Sequence, residues 1–237
     1  MDYGDEIRIS GKELGAINMP DFCPRCFWIK RKCKQLPFQI FPGIFSSIDS
    51  YSKNLVHDHI DRFKCAPRSM IQALDGVIDY LKIPHWSKFI RFDKKTRINV
   101  SGVPDGLLVR NDGTLIIPDY KTAKYSKTAD KLFPIYEAQL NFYRWIQEGF
   151  GSTIHSTPLI YCEPQPFNSQ IWDGQRDIGF EMEFHIHTVE VEQKPNLIRE
   201  LLDSARTIID NKTPPEGVHG CKDCQRLFNL IEEVNHA

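Results

Sequence analysis

The chain has no apolar run near the roughly 18 residues that a helical membrane span requires, no surplus of either charge, no internal repeat and no low-complexity tract. The first absence argues against a membrane-embedded protein. The second matters for partners: 30 basic and 31 acidic residues leave a formal net charge of -1. Contact with a polyanion must therefore come from a local patch such as Lys30, Arg31, Lys32 and Lys34. The opening Met1-Asp2-Tyr3-Gly4-Asp5-Glu6 lacks a secretory pattern, so an intracellular, cytoplasmic protein is expected. An even set of cysteines is also missing. There are seven, and without an export signal a disulfide framework is a poor account of them.

What remains is ordinary globular composition, with 41% hydrophobic and 26% charged residues. The 237 residues suit a single domain over 1–237. Residues after Pro24 read as a basic helix, and Ser46 to Lys64 as an amphipathic one with Ile48, Tyr51, Leu55, Ile60 and Phe63 on its apolar face. Met70 to Leu81 reads as another helix. Strands are expected at Ile98 and Val100, at Leu107 to Val109 and at Leu115 to Ile117. Ile135 to Phe150 is long and apolar enough for a buried helix, and Asn196 to Asp210 is an amphipathic one. Leu159 to Cys162 and the alternating Phe180 to Val191 read as strands; His185 and His187 share the polar face of the latter with Glu181 and Glu183.

Asn111-Asp112-Gly113 is a strong turn signal. If Arg110 lies opposite Thr114, the same register brings Asp105 opposite Asp119. Cβ atoms of opposed residues lie about 4.5 to 5.5 Å apart, and like charges there repel. A cation is needed between them. Lys121, two residues on, points to the same face as Asp119. Carboxylate oxygens also suit hard divalent ions such as magnesium or manganese. Pro104 and Pro118 cannot donate ladder hydrogen bonds, so the pairing should open at these acids. Spacing alone is not diagnostic, because Asp93-Lys94-Lys95 repeats the D-x-K pattern.

The wider pattern is more specific. Gly102-Val103-Pro104-Asp105-Gly106, then Pro118-Asp119-Tyr120-Lys121-Thr122, then Gln139 and Tyr143 resemble the PD-(D/E)XK nuclease superfamily, RecB-like branch. The resemblance implies an α/β, restriction-endonuclease-like fold, with a central mixed sheet flanked by helices. It implies a deoxyribonuclease with a Mg2+ or Mn2+ ion held by Asp105, Asp119 and the Tyr120 backbone carbonyl. Lys121 would then act on developing charge, and Gln139 and Tyr143 would position it. Leu55-Val56-His57 is similar to the branch's helix that presents a histidine to the metal, although Asn54 replaces the usual glycine.

Cys23 and Cys26 form one C-x-x-C pair, Cys221 and Cys224 another, with Cys33 after the first. Cys65 and Cys162 are expected to fill the core. Cys23-Pro24-Arg25 is similar to the opening of the CRISPR-associated RecB-like exonucleases, which carry a cysteine-bound metal cluster. That group joins one early cysteine to three late ones around four irons, whereas this chain has three early and two late. Cys23, Cys26, Cys221 and Cys224 suit either a four-iron cluster or tetrahedral zinc, with Cys33 as alternate ligand. Segments 20–34 and 214–226 should then form one metal-binding subregion. The implied activity is exonuclease action on single-stranded DNA or DNA ends, with repair or CRISPR-adaptation proteins as further partners. The competing readings are a catalytically silent DNA-binding or assembly module of the same fold, and an iron-sulfur redox protein.

Overall fold

The computed structural model describes residues 7–33, 44–83, 85–126, 130–166 and 182–236. Lys34, Phe180 and Glu181 of the preceding reading lie outside them. In chain order the elements are β1 (Ile7–Ser10), α1 (Gly11–Ile17), α2 (Pro24–Lys32), α3 (Ile44–Phe63), β2 (Val77–Tyr80), β3 (Ile90–Asp93), β4 (Ile98–Ser101) and β5 (Leu108–Arg110). There follow β6 (Leu115–Ile116), β7 (Asp119–Lys121), α4 (Phe133–Gly149), β8 (Ile154–Ser156), β9 (Pro158–Pro164), β10 (Phe184–Glu190), α5 (Leu197–Ile209) and α6 (Lys222–His236). The architecture is mixed α/β, with sheets flanked by helices.

The turn at Asn111-Asp112-Gly113 sets the register of the β5–β6 hairpin. Gly113 adopts φ +80°, which glycine reaches without steric cost. Leu108 pairs with Ile116 and Val109 with Leu115, as expected from the sequence. Beyond Ile116 the antiparallel ladder stops. The chain instead continues past Pro118 into β7, which pairs in parallel with β9. Likewise β6 pairs in parallel with β8, and Ile117 N–H donates to the Ser156 carbonyl across the break. Two ladders, β2-β5-β6-β8 and β7-β9-β10, thus follow one another along the same two runs of chain. A third, β1-β4-β3, carries the remaining strands.

Alternation along these strands divides the core between two faces. Leu107, Leu115 and Ile117 pack with residues of α1, α4 and α5. Leu108, Ile116 and Tyr120 pack with Val56 and Ile60 of α3. Helix α1 starts at a capping box, in which Glu13 N–H donates to Ser10 Oγ and Ser10 N–H donates to Glu13 Oε2. It sits unusually close to α4. A Cβ on Gly15 would lie 2.8 Å from the Ile135 carbonyl oxygen, so only glycine permits that approach.

Three expectations are corrected. Residues 70–81 are not a helix: a 3-10 turn at Arg68–Met70 leads through Gly76 (φ +72°) into β2, which pairs with β5. The β-branched Val77 and Ile78 and the aromatic Tyr80 prefer that pleated setting. The buried side of α3 runs through Ser52, Val56 and Ile60, while Tyr51, Leu55 and Phe63 are exposed. Of Cys65 and Cys162, Cys162 is buried in the core and Cys65 is exposed. Among the described residues, no helix is long and apolar enough to cross a membrane.

Candidate active site

The opened end of the hairpin brings together Asp105, Asp119 and Lys121. Asp105 Oδ2 accepts a hydrogen bond from the Tyr120 backbone N–H at 2.9 Å. This side-chain contact joins the two arms where Pro104 and Pro118 have ended the ladder. Asp119 is only 1% exposed, and Lys121 Nζ lies 2.5 Å from its Oδ2. The ammonium is close in charge but poorly directed, since neither Asp119 oxygen receives a hydrogen bond. Burial pushes the Asp119 carboxyl up, Lys121 opposes that shift and Asp105 adds to it.

Helix α4 closes this side. Gln139 Nε2 donates to the Tyr143 hydroxyl at 2.7 Å, as two residues four apart on one helical face can do. Burial and the nearby Asp119 raise the Tyr143 phenol. Tyr136, absent from the sequence reading, places its ring 4.9 Å from Lys121 Nζ. Burial pushes its hydroxyl up to about 12.

Helix α3 closes the other side with residues that the sequence reading missed. Lys53 Nζ lies 2.6 Å from Asp49 Oδ2 and 2.9 Å from Asp105 Oδ1. Burial lowers the Lys53 ammonium but Asp105 and Asp49 outweigh it, so it is held above the usual lysine range. The i,i+4 spacing of Asp49 and Lys53 was the available signal. His57, one turn further, stacks on Tyr80 with ring centroids 4.0 Å apart and an 8° interplanar angle. Burial depresses its imidazole and Lys53 adds to this, against Asp61. Among the described residues, His57, Asp105 and Asp119 are not a group of side chains close enough, as they stand, to share one ion.

Such a set exists elsewhere. Among the described residues, the ligand atoms of Cys23, Cys26, Cys221 and Cys224 all lie within 4.8 Å of one another. Sulfur separations are 3.6 Å for Cys23 to Cys224, 3.6 Å for Cys26 to Cys221 and 3.4 Å for Cys26 to Cys224. Pro24 opens α2 directly after Cys23, and Gly220 (φ +74°) turns the chain into Cys221. Arg25 Nε donates to the Pro215 carbonyl and Trp28 Nε1 to that of Asn211, fastening α2 to the segment before α6. Cys33 is exposed and outside the cluster. On β10, His187 pairs with Glu163 and stacks on Tyr125, while His185 pairs with Glu183; among the described residues they form no further metal cluster.

Fold and site together define a mixed α/β domain with an acid–lysine centre at a broken hairpin. A family model described as the PD-(D/E)XK nuclease superfamily matches residues 55–227. The chain belongs to that superfamily, whose members are generally metal-dependent hydrolytic nucleases. No curated protein matches it. Among solved structures, SSO0001 is 14% identical over 89% of this chain and 80% of its own, with a TM-score of 0.41.

Proposed function

We propose that the chain is a divalent-metal-dependent deoxyribonuclease of the RecB-like branch. It would act as an exonuclease on single-stranded DNA or DNA ends, folded as one nuclease domain. The observation that supports this best is the Asp119 carboxylate, buried beside Asp105 with both oxygens lacking a directed donor. A buried carboxylate left in that state costs free energy unless a ligand meets it. Asp105, Asp119 and the Tyr120 carbonyl would hold a Mg2+ or Mn2+ ion, as an oxygen-only set suits a hard cation. Bound there, the ion supplies Lewis acidity toward a phosphate oxygen and lowers the pKa of a water.

The chain's own groups do the rest. Lys121 faces the carboxylates from the edge of β7, where its ammonium can offset negative charge on the phosphate as it builds. Tyr136 lies against that ammonium, and the Gln139–Tyr143 hydrogen bond within α4 fixes the orientation of the Tyr143 hydroxyl near Asp119. The buried packing of Tyr120 and Tyr143 keeps water from the inner side of the acids. The test is cleavage of end-labelled single-stranded and duplex DNA with manganese. Wild-type protein that leaves both intact, or Asp119→Asn that cuts as well as wild type, would overturn the assignment.

For the cysteine site the observed spacing favours one zinc ion over a four-iron cluster. Tetrahedral ligation at a Zn–S length of 2.3 Å places neighbouring sulfurs about 3.8 Å apart. The pairs at 3.4 to 3.6 Å are near that value. In a four-iron cluster each thiolate binds its own iron, so the sulfurs stand well apart.

A further inference from the structure

The nuclease reading leaves two charged groups of α3 unused, and their placement carries an inference that rests on that reading. We infer that Lys53 is a second phosphate-contacting cation of the active site, positioned by Asp49. One turn before His57, the histidine that the branch resemblance implies as a ligand, α3 presents the Lys53 ammonium to Asp105.

Three observations support it. Lys53 Nζ contacts Asp105 directly, so it stands beside the carboxylate assigned to the metal, and its side chain is 26% exposed. It can therefore meet both the site and a ligand arriving from solvent. Asp49, with its acid one turn N-terminal to the lysine, is the favourable orientation for an i,i+4 pair. This tether restricts a flexible side chain whose rotamer freedom would otherwise oppose binding.

The charge balance agrees. Asp49, Asp105 and Asp119 bring three negative charges, and Lys53 and Lys121 bring two positive ones. A divalent ion turns this deficit of one into an excess of one, the charge that one phosphodiester neutralises. Without Lys53 the ion-loaded site would be neutral overall and would hold a phosphate less well.

The test compares the full-length wild type with Lys53→Met and Asp49→Asn. Binding is measured by fluorescence anisotropy in calcium, using single-stranded oligonucleotides that carry one neutral methylphosphonate at each successive linkage. The wild type should show one linkage whose neutralisation weakens binding about tenfold, the size of a lost charge-assisted hydrogen bond. Lys53→Met should bind the unmodified strand about tenfold less tightly and show a smaller further loss at that linkage, the remainder belonging to the ion and Lys121. Asp49→Asn should keep the same sensitive linkage with a smaller penalty, and it serves alone if Lys53→Met does not fold. Manganese titration of the DNA-free proteins should show affinity in Lys53→Met no weaker than in wild type.

Equal penalties at every linkage in wild type and variants would overturn the inference and leave the nuclease assignment standing. So would a loss of manganese affinity in Lys53→Met, which would make the lysine a support for the metal site. A wild type that shows the linkage pattern but never cuts in manganese would overturn the nuclease assignment and leave the lysine contact. A wild type that does not bind DNA removes both.

Discussion

The carboxylate of Asp105 accepts the backbone N–H of Tyr120 at 2.9 Å, a side chain standing in for a ladder bond that the hairpin has given up. One acid is thereby fixed to the strand that carries the other. Asp105→Ala should separate the two arms, with the cost of a lost charge-assisted hydrogen bond, about 1.5 to 3 kcal/mol. Thermal unfolding of this variant should show a lower Tm, and manganese-dependent cutting should be abolished.

Asp119→Asn is expected to behave oppositely on stability. It removes a buried charge that lacks directed donors, so Tm should stay equal or rise by a few degrees while DNA cleavage disappears. A calorimetric scan beside an end-labelled cleavage assay reads both. A large fall in Tm would show that Asp119 is held by the fold rather than waiting for a ligand.

Tyr143→Phe removes the acceptor of Gln139 within α4 and should cost about 1 kcal/mol. Cleavage should fall modestly, in kcat more than in KM, because the hydroxyl lies behind the acids and away from the substrate. Steady-state kinetics of the variant test that split.

Asp93 supplies a pH prediction. Burial raises its carboxyl, but the Thr96 hydroxyl and N–H and the Arg199 guanidinium outweigh burial and hold it below the usual range. A depressed folded-state pKa means the stabilisation is complete above the unfolded value of about 3.9 and is lost as pH falls through the folded value. Asp93→Asn should cost about 1 to 2 kcal/mol at pH 7, since Arg199 remains half-exposed. Urea melts should show that this gap from wild type narrows below pH 4.

For the cysteine site, the purified protein should carry one zinc per chain and no iron by elemental analysis, and should be colourless. Cys224→Ser should lose the zinc and lower Tm sharply, since structural zinc binding contributes roughly 10 to 16 kcal/mol of apparent free energy in small peptides. Stoichiometric iron with visible absorbance would overturn the zinc assignment.

Asp93 and Asp119 also show what the sequence could and could not reveal. Both are buried and both open a D-x-K pattern, yet Asp93 has its oxygens met by Thr96 and Arg199 whereas Asp119 has neither met. Thr96 is a local partner, but Arg199 comes from 106 positions away and is invisible to local spacing. The hairpin register was legible because a turn fixes it locally. The place of Gln139 beside Tyr143 was legible because helical periodicity fixes it. Residues 70–81 misled because Met70, Leu74 and Val77 fit a helical period, and only pairing with β5 decides for a strand. Lys53 was overlooked for a similar reason: an i,i+4 Asp–Lys pair is ordinary on a helix surface until Asp105 is brought to it by the fold.

The four cysteines join positions 201 residues apart, from Cys23 to Cys224. A crosslink of that span encloses nearly every element of the fold within one covalent-like ring. Such a ring cannot close until Cys224 has emerged, after the hairpin, α4 and α5. The centre around Asp105 and Asp119 can therefore assemble before the clamp does. A metal held by the four cysteines would then lock together segments whose acids are already in place.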